Sequence, residues 1–190
     1  MDDIVKQAMA KWPNVPNCHG WLGLDARGNW YLRDDRAQAA GAFQSGLAGS
    51  KGSLLTHEKL IDFIARNYLP DAQGQWFFQN GPQRVYVELQ ATPLVWRVQP
   101  DHSVKDHLGR AAVVTGAWLD EAGHLYLASQ AGLGLVHTQD RGLAAEAGEC
   151  GSWQPQAVSQ AELPGLFGFV KSPQASAKSP EGTDAGSSPA

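Results

Sequence analysis

The sequence predicts an α+β protein: antiparallel sheets built from three hairpins, one main helix at about 53–68, a short N-terminal helix and a disordered C-terminal tail. Three observations predict it. The first is a phrase written three times, "LDARGNWYL" at 24–32, "PDAQGQWFF" at 70–78 and "LDEAGHLYL" at 119–127. Each has Asp, two residues, Gly, one residue and then bulky apolar side chains. The second is an apolar stripe at helical spacing, Leu54, His57, Leu60, Ile61, Ile64 and Tyr68, with charged residues on the opposite side. The third is the alternation of Val85, Val87 and Leu89 with Arg84, Tyr86 and Glu88, the period of a strand with one buried face.

Taken in chain order, residues 3–12 form the short helix, because Ile4, Val5, Ala8, Met9 and Trp12 recur every three or four positions. Asp2 or Asp3 is placed to cap it, and "PNVPNCHG" ends it. "GWLGL" and "NWYLR" then flank "DARG". Asp at the first turn position accepts backbone N–H bonds, and Gly at the fourth takes positive φ in a type I turn with a bulge. A calcium loop would need further oxygen ligands at alternate positions, and none follow. The Gly- and Ala-rich stretch 33–53 reads as a long, partly mobile surface connection.

Ser53 is placed to cap the main helix, and Pro70 blocks its continuation. "QWFFQ", Asn80-Gly81 and "QRVYVELQ" read as a hairpin, and "LVWRV" resumes the strand after Pro93. "AAVVTGAWLD" and "HLYLAS" form the third hairpin, and "GLGLVHTQD" a further strand. "GLAAEAGE" reads as a short helix or turn, and "ELPGLFGFVKS" as a last strand. The three corners recur 46 to 49 residues apart, the size of small supersecondary units. The expected organisation is 1–98, an N-terminal α+β part, 99–171, a mostly β part, and 172–190, a tail without the bulky residues to offset ordering.

At 190 residues the chain suits one ordinary domain or two small ones, and 43% hydrophobic residues mark it as globular. A net charge of −4 argues against nucleic acid as partner. Apolar runs fall far short of the ~20 residues that cross a bilayer, so no membrane partner is expected. The acidic start of "MDDIVKQAMAKW" is unlike a signal peptide, and a cytoplasmic location follows as an expectation. Cys18 and Cys150 are expected as separate thiols.

Candidate chemistry is sparse. His57 lies in the helix stripe, and Arg84, Tyr86 and Glu88 share a strand face that Arg97 could join across the meander. These five are the candidate ligand-binding residues, Arg offering bidentate bonds to a carboxylate or phosphate. The doubled Asp-His pair of "DHSVKDH" makes His102 and His107 weak metal candidates, able to meet across a hairpin but lacking four-ligand spacing. His137 with Asp140 could form an acid–base pair, but no nucleophile elbow is present. Cys18-His19 are strand neighbours whose side chains point apart. Lys51-Gly52-Ser53 lacks phosphate-loop spacing, so no cofactor is expected. Trp21, Trp30, Trp76, Trp96, Trp118 and Trp153 mostly follow strand patterning and read as core.

A Gly-Asn-Trp strand, a Gly-Ser-hydrophobic helix entry, an aromatic Asp-Gly hairpin, "VYVELQATPLVWRV" and "GHLYLASQAG" occur in that order. In this layout residues 20–137 resemble an uncharacterised family of small bacterial two-part α+β proteins with repeated strand-turn motifs. The resemblance implies a sensing or signalling role and supplies no catalytic motif; the insertion after Asp35 departs from it. The expectation is therefore a bacterial, non-enzymatic module that binds a small molecule or a protein partner. The alternative is a hydrolase or metal-dependent enzyme using His102, His107 or His137, which requires those imidazoles to converge.

Overall fold

The structure is a computed structural model, and it describes residues 1–178. In chain order its elements are α1 (Asp3–Lys11), β1 (Cys18–Leu24), β2 (Trp30–Leu32), α2 (Asp35–Ala40), β3 (Ser53–Leu54), α3 (Glu58–Arg66), β4 (Tyr68–Pro70), β5 (Trp76–Asn80) and β6 (Gln83–Leu89). Then follow β7 (Leu94–Val98), β8 (Val104–Asp106), β9 (Ala111–Ala112), β10 (Gly116–Leu119), β11 (Leu125–Ser129), β12 (Gly132–Val136), α4 (Arg141–Glu149), β13 (Gln156–Ala157), α5 (Leu163–Phe167) and α6 (Pro173–Lys178). Among the described residues no helix is long and apolar enough to cross a membrane.

The α+β class holds, with two mixed sheets. The first has strand order β3-β2-β1-β6-β5-β4 and the second β13-β10-β11-β12-β7-β8-β9. Most pairs are antiparallel, but β1–β6, β7–β12 and β10–β13 are parallel. Read from opposite ends, the two sheets share one connectivity, with β1 to β6 in the places of β7 to β12. The registers agree as well. Leu24 faces Trp30 as Val98 faces Val104, Pro70 faces Trp76 as Leu119 faces Leu125, and Asn80 faces Gln83 as Ser129 faces Gly132. The second sheet lacks a counterpart of α3, since only residues 113–115 join β9 to β10. One hydrophobic cluster, from Leu22 to Phe169, spans both sheets.

The three expected turns have the bulged form, with Gly28, Gly74 and Gly123 at φ 85°, 78° and 76°. In each, one Asp oxygen accepts the N–H groups two and four residues on, at 2.8–2.9 Å. The other oxygen takes the side chain of the fourth residue: Asn29, Gln75 or His124. Asp106 builds the same turn with Gly109 and Arg110. A further turn, between β7 and β8, keeps the backbone bonds but has Gln99 in the Asp place and His102, φ 64°, in the Gly place.

Several expectations change. Asp2 occupies the N-cap position of α1 without a side-chain cap bond; its carboxylate pairs with Arg66 and its N–H donates to Asn67. The main helix starts at Glu58, not Ser53, because Ser53 and Leu54 are paired with β2 as a strand. The stretch 33–53 carries α2, β3 and the buried Phe43, so it is built structure rather than a loose connection. "LVWRV" does not continue the first sheet: β7 hydrogen-bonds to β8 and β12, and the chain passes between sheets at 90–93. "ELPGLFGFVKS" contains α5 in place of a strand. The expected tail starts too early. Residues 173–178 form α6, and Glu88 accepts from Ser172 Oγ at 2.6 Å and Gln174 N at 2.9 Å. Residues 179–190, the rest of that expected tail, lie outside the described residues.

The turn glycines should differ in how well they bear a side chain. A Cβ on Gly109 meets nothing within 4 Å, whereas one on Gly74 would collide with the Gly168 carbonyl oxygen. Gly109→Ala should cost about 1 kcal/mol, from positive φ alone. Gly74→Ala should cost more than about 2 kcal/mol beyond that, since backbone must shift. Equal costs in urea unfolding would show that residues 168–170 are not seated on the Asp71 turn.

Candidate functional site

The largest cavity described, about 580 Å³, is a groove between α3 and the first sheet. Its floor is Leu22 of β1, Phe78 of β5 and Val85 of β6, and Leu60 and Ile64 of α3 form the opposite wall. These residues converge for a simple reason. Antiparallel pairing sets Phe78 opposite Val85, parallel pairing brings β1 beside β6, and α3 turns its apolar stripe onto them. Phe63 anchors the helix edge-on to Phe78, with ring centroids 5.4 Å apart. The rim is more polar: Cys18, Asp34, Ser53 and Asn80 stand there beside Trp21. Trp21 is 43% exposed and Leu32 46%, both large apolar side chains left open to solvent.

Arg33 fixes one end of the groove. It is 1% exposed and donates Nε to Ser50 O at 2.8 Å, one NH group to Gly20 O at 3.1 Å and the other to Gly41 O at 2.6 Å. Its buried charge is thus spread over backbone carbonyls from three segments of the chain. Burial lowers its pKa, and the charge of Glu88 opposes that. Asp34 caps α2 by accepting from Ala37 N at 2.8 Å.

The residues singled out from sequence do not gather here. His57 is the N-cap of α3, its Nδ1 accepting from Leu60 N at 3.3 Å. Arg84 lies over the Phe77 ring at 4.7 Å. Tyr86 donates to Asp71 at 3.1 Å and stacks on His19 at 4.6 Å. Glu88 is buried and accepts from Ser172 and Gln174, as described. Arg97 stands in the other sheet, paired through Nε with Asp140 at 2.6 Å. Burial acts to raise the Asp140 carboxyl, but the Arg97 bond and charge outweigh it and hold the pKa below its ordinary value.

Of the histidines of the enzyme alternative, His107 and His137 follow the residues that flank Trp96 on either side of β7. His102 and His107 lie at opposite ends of the extended β8, about 15 Å apart at strand rise, so they do not meet across a hairpin. His137 spends Nδ1 on Gln139 N at 3.1 Å. Among the described residues no cluster of three or more His, Cys, Asp or Glu is placed to hold a metal. Cys18 and Cys150 are both free thiols.

The groove residues Cys18, Trp21, Leu22, Leu32, Phe78 and Val85 are absent from the candidates that the sequence offers. One signal is present in hindsight. Trp21 and Leu22 are adjacent apolar residues that break the two-residue period of β1, where the pairing with β6 shifts register. The other large tryptophans, Trp30, Trp76, Trp96 and Trp153, are buried as patterning implies. A second cavity, about 280 Å³, lies between α4 and the β10–β11 hairpin, with Arg141 bonded to Gly123 O at its edge.

Fold and site together define an α+β domain of two mixed sheets with an apolar groove under α3. The chain belongs to the family DUF2944, described as "Protein of unknown function (DUF2946)", which it matches over residues 1–174. Two solved structures are similar to it. One is a DUF1285 family protein from Silicibacter pomeroyi DSS-3, 12% identical, covering 70% of this chain and 72% of that one, with TM-score 0.47. The other is a DUF1285 family protein from Shewanella baltica OS155, 16% identical, covering 66% and 91%, with TM-score 0.44. No curated protein matches.

His107 makes a prediction of its own. Its ring lies beside Trp30 and Tyr68 of the first sheet, and its Nδ1 accepts from Val95 N of the second at 3.2 Å. Nε2 is buried without a partner among the described residues. Burial pulls the pKa from 6.5 to about 4, against the charge of Asp106. Between those values the unfolded chain binds a proton that the folded one does not. Stability should therefore fall as pH drops from 6.5 toward 4, by on the order of 2–3 kcal/mol from this group. NMR titration should find the His107 ring neutral at pH 5.5; a midpoint near 6.5 would show that the ring is solvated.

Proposed function

We propose that the protein is a non-enzymatic binding module that takes a small apolar molecule in the groove under α3. The observation that carries this reading is the groove itself. It is the largest described cavity, its floor and helix wall are apolar, and its polar lining is confined to Arg33, tied to backbone carbonyls at one end, and to Cys18, Asp34, Ser53 and Asn80, the usual character of a ligand pocket. The open side chains of Trp21 and Leu32 support it, because large apolar groups left at a rim gain when a ligand covers them. The histidines support it too: His57, His107 and His137 each use Nδ1 to accept a backbone N–H. A role in sensing or signalling within a bacterial cytoplasm is part of the same proposal, in keeping with two unpaired thiols.

Cyclohexanol and phenol, titrated against the full chain, should shift the methyl resonances of Leu60, Ile64 and Val85 saturably. Val85→Phe, which projects bulk into the groove, should weaken both by about tenfold, or about 1.4 kcal/mol. The melting temperature should stay within about 3 °C. Shifts spread evenly over surface methyls, or unchanged affinity in Val85→Phe, would remove the groove as a binding site.

A further inference from the structure

The groove's ligand class can be read from the second sheet. This step rests on the binding reading above and adds a chemical identity to it. We infer that the groove takes a planar aromatic ring of about indole size, because the second sheet fills the matching place with its own indole.

The matching follows from register. Leu22 faces Leu32 and pairs in parallel with Val87; Trp96 faces Asp106 and pairs in parallel with Val136. Each stands two residues before the strand end that faces the turn, at Leu24 and Val98. Phe78 faces Val85 in the first sheet, and Leu127 faces Gly134 in the second. Leu22, Phe78 and Val85 therefore occupy the places of Trp96, Leu127 and Gly134.

In the second sheet this place is full. The Trp96 indole is 1% exposed, its Nε1 donates to Leu127 O at 2.6 Å, and its ring lies against Gly134. A Cβ on Gly134 would collide with the indole, so the glycine makes the space that the ring occupies. In the first sheet the same three places line the open groove. Leu22 is too short to lay a ring over β5 and β6. The volume that one sheet fills covalently, the other leaves for a separate molecule. An aromatic ring suits it better than an aliphatic chain. Phe78 offers it a ring to pack against, and Phe78 already meets Phe63 edge to face.

The test uses the full chain with indole as probe and 2-cyclohexylethanol as the aliphatic control, read at the methyls of Leu60, Ile64 and Leu22. Indole should bind about tenfold or more tightly than the control. Equal or tighter binding of the control would overturn the aromatic assignment while leaving the groove as a binding site. Binding of neither would overturn both. Leu22→Trp with Val85→Gly transplants the second sheet's solution. It should keep a cooperative melt and lose indole binding by about tenfold or more. Unchanged indole binding in a folded double variant would place the ring elsewhere. Val85→Gly alone removes a side chain from the floor and should strengthen indole binding several-fold; weaker binding there would overturn the assignment whether or not the double variant folds.

Discussion

The fold depends on one repeated constraint: an Asp carboxylate that accepts two backbone N–H groups across its own turn. Asp25, Asp71, Asp106 and Asp120 all do this, and each gives its second oxygen to the side chain four residues on. Each bond is worth about 0.5–1.5 kcal/mol net, somewhat more with a charged acceptor. Their larger effect is on register. A one-residue slip of a strand pair would turn its buried face to solvent, and the turn forbids that slip locally. The carboxylates tolerate burial because their oxygens are satisfied. Asp25, Asp106 and Asp120 are all below a tenth exposed. At Asp120 burial tends to raise the pKa, but bonds from the His124 backbone and ring, Tyr126 and Ala122 hold it below the ordinary value.

Fixed registers let one connectivity serve twice. Both sheets place a parallel pair at their centre, β1 with β6 and β7 with β12. The sheets then diverge in what covers them. The first carries α3 and an open groove; the second has only a short link at that point and a tryptophan laid over its own strands. The joint between them is packed with aromatic rings, Trp30, Tyr68, Trp76 and His107, at centroid distances of 4.7–6.2 Å. On the opposite face of β6, Glu88 accepts from Ser172 and Gln174, so the segment entering α6 covers that side of the first sheet.

Three of the turns and the α+β class were legible because their determinants are local. Asp, Gly and the apolar residues that follow lie within nine positions, and the bonds join residues four apart at most. The Asp106 turn has the same local bonds but is followed by Arg110 and alanines, so it lacks the aromatic mark, and His107 draws the eye to metal chemistry. The Gln99 turn has neither its Asp nor its Gly. What the sequence hid was long-range. The carbonyls that hold Arg33 come from residues 20, 41 and 50, and no spacing reveals that set. Ser53 has the chemistry of a good helix cap, and only its pairing with Leu32 makes it a strand, so the start of α3 is not legible locally. Arg84, Tyr86 and Glu88 do share a face, as alternation implies, but that face is covered by other parts of the chain. The groove lies on the opposite face, among residues that pattern alone marks as core.

The place that the second sheet fills with the Trp96 indole is left open beneath α3 in the first. The most direct measurement is a crystal structure of the protein soaked in phenol. Phenol should sit among Leu22, Phe78 and Val85 beneath α3, with the Trp96 indole still against Gly134 and no phenol there. Phenol absent from the groove, with α3 collapsed onto β1 and β6, would contradict it.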